Sequence, residues 1–312
     1  MRIVFAGTPE FAVPSLRAIA AAGHEIVGVI TREDAPLGRK RVLTPSPVAQ
    51  AAAELGIETL KANRLGEAET AWVAERAPEL GVIVAYGGLI REPLLSGPTL
   101  GWINLHFSDL PRWRGAAPVQ RALMAGEQEL GVTVFRLVAA LDAGDVLTRD
   151  ATVFEPGTSA GAALTELSGS GTDALLRAIE MLAANPAAGE PQVGDDTYAH
   201  KLSREDGLMT FGDGLTAEAA LAHWAGVTPE PGAYALLDGD PVKLTELRPF
   251  GGDLGRDLPA DLAPGEARLV AKRAVIGCAE GALELARVQP AGKPAMDGAA
   301  WLRGRDGKAE LA

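Results

Sequence analysis

The chain has one cysteine, Cys278, so no internal disulfide can form, and it has no CxxC pair or His/Cys cluster of the kind that holds zinc. A reducing cytoplasm suits such a chain, and no metal is expected. Long apolar runs are also missing. The longest, residues 81–90 (GVIVAYGGLI), is half the length a membrane span needs, and Glu10 interrupts the N-terminal region before a signal-like segment could form. A soluble, unexported protein with no membrane partner is the expectation. Positive charge is scarce: the formal charge is −12, with 18 basic against 26 acidic residues over 1–207 and 11 against 15 over 208–312. Such a balance repels polyanions at long range and excludes a protein that coats nucleic acid indiscriminately. Any RNA contact must be local, and the best local candidate is Arg39-Lys40-Arg41, set among Pro36, Gly38, Pro45 and Pro47.

What the chain has is enough apolar residue for two cores: 47% of its 312 residues are hydrophobic. A short apolar strand (RIVFA, 2–6), helical spacing over 11–22 and a second strand (25–30) make a βαβ unit. Helices over 47–55 and 67–76 alternate with strands over 57–60, 81–85 and 102–106. That alternation predicts a mainly parallel, Rossmann-like sheet with helices on both faces, its ligands beyond the carboxyl ends of the strands. A helix over 118–125, strands over 132–138 and 146–153, and a helix over 159–184 complete a first domain, 1–185. Gly, Pro and Asp crowd the next stretch (NPAAGEPQVGDD), which reads as a linker, 186–206. Short β-like runs over 207–312 predict a smaller β-barrel or sandwich of about 100 residues.

The first βα turn, Gly7-Thr8-Pro9-Glu10-Phe11, lacks the GxGxxG that cradles a pyrophosphate, and Pro9 has no N–H to offer one, which disfavours a dinucleotide-dependent dehydrogenase. The informative stretch is INLHFSDLPRWRGAAP, residues 103–118. Asn104 and His106, two apart on a strand, share one face at its end. Alone they also read as a buried histidine bonded to its neighbour. Asp142, on a later loop, adds a carboxylate that can orient an imidazole. Together the amide, imidazole and carboxylate make a group-transfer site, able to stabilise an oxyanion and exchange protons. Asp145 reads as a solvated turn residue. Arg112 and Arg114 flank Trp113 either as anion-binding groups or as a surface turn around a packed ring.

Several stretches resemble the methionyl-tRNA formyltransferase family: FAGTPEFA (5–12), PSP (45–47), VAYG (84–87), INLHFSDLPRWRGAAPVQRAL (103–123), GVT (131–133), LDAGD (141–145), YAHKL (198–202) and LARVQPAGKPAM (285–296). The SxLPxxRGAxP stretch with Asn and His just before it is specific for formyltransferases that use 10-formyltetrahydrofolate. The resemblance implies a nucleotide-binding-like first domain and an OB-like, tRNA-binding terminal barrel, with Asn104, His106 and Asp142 as the catalytic trio. It implies a folate co-substrate lined by Ser108, Asp109, Leu110 and Pro111 and bordered by Tyr86 and Leu89. Initiator methionyl-tRNA is the implied partner, its acceptor end met by Arg39, Lys40 and Arg41; no obligate protein partner is evident. Asp109 stands where the family has an apolar residue, Phe107 where it has a small one, Arg91 where Pro is common and Glu230 where it has Trp. The alternatives are a formyltransferase acting on a sugar nucleotide or other small amine, which gives no reason for the basic loop, and a non-catalytic RNA-binding protein built on the terminal barrel. The second lacks a basic, aromatic-rich face on which single-stranded bases could stack.

Overall fold

Alternating strands and helices build the first of two units in the computed structural model, which describes residues 1–38, 40–212, 214–250 and 262–311. That unit comprises Met1–Pro118, Leu130–Thr152 and Leu164–Ala199. Its chain runs β1 (Arg2–Gly7), α1 (Val13–Ala21), β2 (Glu25–Thr31), a hairpin of β3 (Ala35–Leu37) and β4 (Val42–Thr44), then α2 (Pro47–Glu54) and β5 (Thr59–Lys61). After α3 (Glu67–Glu75) come β6 (Leu80–Val84), β7 (Trp102–His106), β8 (Arg114–Gly115), β9 (Glu129–Arg136), β10 (Val146–Val153), α5 (Ala160–Ala184) and β11 (Tyr198–Ala199), while α4 (Pro118–Met124), between β8 and β9, and the first turn of α5 belong, Pro118 aside, to the second unit. Seven strands form one sheet in the order β10-β9-β7-β6-β1-β2-β5. The pairs from β5 to β7 are parallel, and β9 runs antiparallel to β7.

Every residue of β6 is buried, as expected of a parallel strand covered on both faces. The register shows what covers them. Gly28, Val4, Gly81 and Trp102 lie side by side, so they share a face, and Trp72 of α3 packs against Gly28 there. Leu105 points to the opposite face, where it meets Gly171 of α5. The expected helices on both faces are therefore present. The chain leaves β1 toward β2 on one side and lies beside β6 on the other, which makes their carboxyl ends a topological switch point. Thr8 ties the two ends together by donating from Oγ1 to the Tyr86 carbonyl at 2.9 Å. Helix α2 begins where the sequence suggested: the Ser46 hydroxyl accepts from the Ala49 N–H at 3.0 Å and Pro47 occupies the first turn.

The second unit, Val119–Glu129, Val153–Ala163 and the chain from His200 onward, holds α6 (Ala217–Val227), β12 (Tyr234–Leu237), β13 (Asp240–Phe250), β14 (Glu266–Val270), β15 (Arg273–Gly277), β16 (Ala282–Pro290), β17 (Met296–Asp297), α7 (Gly298–Arg303) and β18 (Lys308–Glu310). Its sheet runs β12-β13-β16-β15-β14-β18, all pairs antiparallel, and irregular register near Glu246 bends β13 as a half-barrel requires. Trp224, Leu244, Leu285 and Trp301 fill its core, and Trp224 donates from Nε1 to the Leu244 carbonyl at 2.8 Å. Cys278 is buried there, and burial pushes its thiol up to about 11, so it is unreactive packing.

Three features differ from the sequence reading. Helix α6 carries apolar residues nearly all round, and α7 has only six residues, so neither shows the stripe that reveals a helix. The basic segment is a short hairpin and not a plain loop. Residues 186–199, expected as linker, are fastened to the first unit: Arg136 donates to the carbonyls of Pro186 and Ala188, Glu190 bridges Val146, and β11 pairs with β8. Polar, glycine-rich composition cannot distinguish a segment held by its own backbone from one left in solvent.

Trp102 sets a testable constraint on this core. A Cβ at Gly81 would lie 2.1 Å from Trp102 Cδ2, and that indole is buried with Nε1 donating to the Leu94 carbonyl. Gly81→Ala should therefore cost about 1–3 kcal/mol in urea unfolding, as overpacking does. Gly169→Ala, on α5 with nothing within 4 Å of the new methyl, should stabilise by about 0.5–1 kcal/mol.

Candidate active site

Strand β7 ends in the candidate site. Asn104 lies opposite Phe135 and His106 opposite Thr133 on β9, so all four share the face that Leu105 turns away from. Asn104 is half-buried, and its side-chain amide bonds to none of the described residues, which leaves it for a ligand. His106 is buried, its ring edge-on to Phe135 at 6.3 Å between centroids. Its Nε2 lies 2.9 Å from the Trp113 carbonyl. A carbonyl only accepts, so Nε2 carries the hydrogen and Nδ1 is the ring position left to exchange a proton.

Asp142 reaches the same short segment from another loop. Its Oδ2 accepts from the Gly115 N–H at 2.8 Å, and Oδ1 has no partner among the described residues. The expected contact of carboxylate with imidazole is not made: among the described residues no hydrogen bond joins Asp142 to His106. The two are linked through residues 113 and 115, one holding a carbonyl and the other an N–H. Both Trp113 (φ 59°) and Asp142 (φ 47°) adopt left-handed backbone, a conformation costing on the order of 1–3 kcal/mol per residue and concentrated at functional sites. Gly115 has φ 116°, and a Cβ there would lie 2.9 Å from the Ala199 carbonyl, so no other residue fits.

Residues 108–111 form a turn held from within. Ser108 is buried and donates from Oγ to the Arg112 carbonyl at 2.7 Å; Leu110 is fully buried and Pro111 buried. Thr133 closes the turn, donating to the Ser108 carbonyl at 2.7 Å and accepting from the Leu110 N–H at 3.2 Å. Asp109 is exposed and ion-paired to Arg149 at 3.1 Å, so its departure from an apolar residue is accommodated in solvent. Phe107 is buried edge-on against Phe11. The structure does not present the Tyr86 side chain to the site: it is 1% exposed within the core, its hydroxyl donates to the Ala62 carbonyl at 2.7 Å, and burial raises that hydroxyl above the usual tyrosine range. Leu89, by contrast, is 63% exposed. Lys40 and Arg41 lie exposed at the hairpin turn, flanked by exposed Leu37, Val42 and Leu43; Arg39 lies outside the described residues. Asp145 is exposed, as a turn residue should be. Arg114 is an internal strut, bonded to Asp196 at 2.9 Å and Gln192 at 2.6 Å, while Arg112 is exposed with its guanidinium 5.9 Å from the Trp113 ring.

Similarity to known proteins accords with this geometry. The formyl transferase family model matches residues 1–179, and the formyl transferase C-terminal domain model matches residues 201–306. The methionyl-tRNA formyltransferase of Leifsonia xyli subsp. xyli is 50% identical over 311 residues, covering 100% of both chains. The chain belongs to the methionyl-tRNA formyltransferase family. Two solved structures share its fold at low identity. HypX from Aquifex aeolicus, in complex with tetrahydrofolic acid, is 18% identical with a TM-score of 0.64, over 97% of this chain and 47% of that one, so this chain spans about half of HypX. WlaRD, a sugar 3N-formyl transferase solved in the presence of dTDP and 5-N-formyl-THF, is 14% identical with a TM-score of 0.64, over 94% of this chain and 99% of that one. Among the described residues no helix is long and apolar enough to cross a membrane, and no group of three or more His, Cys, Asp or Glu could hold a metal.

Sequence reasoning missed Thr133, although the GVT motif contains it and a threonine paired with a strand-end histidine is a usable signal. Thr133→Val keeps the shape and removes both hydrogen bonds from a fully buried site. It should cost about 1–3 kcal/mol in urea unfolding, because the Ser108 carbonyl and Leu110 N–H are left unpaired.

Proposed function

We propose that this chain, an enzyme of that family, transfers the formyl group of 10-formyltetrahydrofolate to the α-amine of methionyl-initiator-tRNA in the cytoplasm, with Asn104, His106 and Asp142 as its catalytic residues. The observation that carries the reading is the convergence of two distant stretches of chain on residues 113–115, beside an amide with no internal partner. The relatives' name supplies the tRNA substrate, and the folate complexes of fold neighbours support the donor.

The donor set suits this chemistry. The neutral amine attacks the formyl carbon, the carbonyl oxygen gains negative charge, and the bond to N10 of the folate then breaks as N10 takes up a proton, giving tetrahydrofolate. The Asn104 amide donates to that oxygen, a contribution of roughly 10² to 10³ in rate. His106, with Nε2 held by the Trp113 carbonyl, exchanges a proton at Nδ1. Asp142, with Oδ2 held by Gly115, has Oδ1 to take up the proton that the amine releases, through water or the imidazole. This general acid–base assistance amounts to roughly 10² to 10⁴ in rate. Residues 108–111 and Leu89 border the folate, with Tyr86 contributing through its backbone. The exposed hairpin supplies the tRNA contact. Cations there meet phosphate, and exposed Leu37, Val42 and Leu43 suit the apolar face of an end base.

Incubating the protein with 10-formyltetrahydrofolate and either methionyl-tRNA or an amino-sugar nucleotide decides the acceptor: formylmethionyl-tRNA should form and the sugar should not react. His106→Ala, Asn104→Ala and Asp142→Ala should each lower kcat by at least about 10²-fold with tRNA affinity nearly unchanged. Near-normal turnover by His106→Ala would remove that residue from the reaction.

Replacing Arg39, Lys40 and Arg41 with Ala should raise KM for tRNA and reduce the slope of log affinity against log salt by about 0.7–0.9 for each phosphate no longer neutralised. An unchanged slope assigns tRNA binding to another surface.

A further inference from the structure

Gln192 lies in the strap that composition suggested was linker, 50 residues beyond Asp142, and its side chain makes three hydrogen bonds, two as donor and one as acceptor. The amide Nε2 donates to the Asp142 carbonyl at 2.8 Å and to the Gly144 carbonyl at 3.0 Å, and Oε1 accepts from Arg114 Nη2 at 2.6 Å. Gln192 therefore holds the backbone of the residue that supplies the carboxylate. The same side chain grips the residue between the two that receive His106 and Asp142.

We propose that Gln192 is a positioning residue for formyl transfer, holding the 142–144 turn so that the Asp142 carboxylate stays aimed at Gly115. The proposal rests on the reading that Asp142 serves that reaction. Left-handed backbone at Asp142 costs energy, and the turn persists only if something outside it fixes its carbonyls. Among uncharged side chains of this length, only glutamine donates twice from one nitrogen while accepting at the other end. Glutamate would keep the Arg114 contact and turn a carboxylate toward two carbonyls. Lysine would donate to the carbonyls and repel Arg114.

The test uses the full-length enzyme in single-turnover formylation of methionyl-tRNA, with melting temperature as the folding check. Gln192→Glu should lower the formylation rate by about 10- to 100-fold, the usual loss when a group supporting an active residue is removed, with KM for both substrates within about twofold. In an Asp142→Asn background the same substitution should cause no further loss, because the two act as one unit. Fastening the strap is a merely structural role, and it would leave Gln192→Glu active, since its bond to Arg114 is retained. If the Glu variant does not fold, Gln192→Met, uncharged and similar in size but without the Arg114 contact, is read by the double-variant cycle with Asp142→Asn, where it too should add no further loss. A rate within about twofold of wild type, a change confined to KM, or losses that multiply in the double variant would overturn the proposal. Wild-type protein that forms no formylmethionyl-tRNA would instead overturn the functional reading, and this inference with it.

Discussion

Three consecutive residues, Trp113, Arg114 and Gly115, fix the candidate site. Positive φ at Trp113 and Gly115 accompanies one carbonyl and one N–H that meet side chains from two distant stretches of chain. The carbonyl selects the tautomer of His106, and the N–H holds the carboxylate of Asp142. The peptide N–H of Trp113 is in turn bonded to Thr197 Oγ1 at 2.9 Å, and that of Arg114 to the Thr197 carbonyl at 2.8 Å. The backbone of one short segment thus sets the geometry of two candidate site residues. Such fixed dipoles suit a reaction whose charge appears only briefly, because they need no reorganisation when it does.

Around that segment the parallel sheet does what such sheets do best. It buries an apolar floor, Val4, Ala6, Ile83 and Trp102 among it, and carries Asn104 and His106 to the place where β7 runs out. Asn104 and His106 follow Trp102 on the same face, so one alternation of side chains passes from core to chemistry within five residues. The hairpin that carries Lys40 and Arg41 is of the opposite kind, with short strands, exposed apolar side chains and positive charge in a chain that is otherwise acidic. Local basic charge on an acidic protein favours contact at one place over broad coating of a polyanion.

Much of this was legible from residue order. Strand β7 was read with its observed bounds, because an apolar run between glycine and a turn admits little else, and β10 likewise. The helix starts at Ser46-Pro47 and the pairing of Asn104 with His106 on one face followed from local rules. Helix α6 was not legible, because a helix with apolar residues nearly all round has no stripe. The contacts of Asp142 were not legible either. Sequence suggested that its carboxylate would meet the imidazole, whereas φ at 142 directs it to a backbone N–H.

The sequence by itself determined the α/β class, the placement of an amide and an imidazole at one strand end, and the family, because period-two alternation and local motifs are properties of neighbours along the chain. Only the tertiary structure decided that Tyr86 faces the core, that Asp109 pairs with Arg149 in solvent, and that residues 186–199 brace the Asp142 turn. Each of those depends on which backbone groups, dozens of residues away, are left with an open hydrogen bond, and no local pattern encodes that.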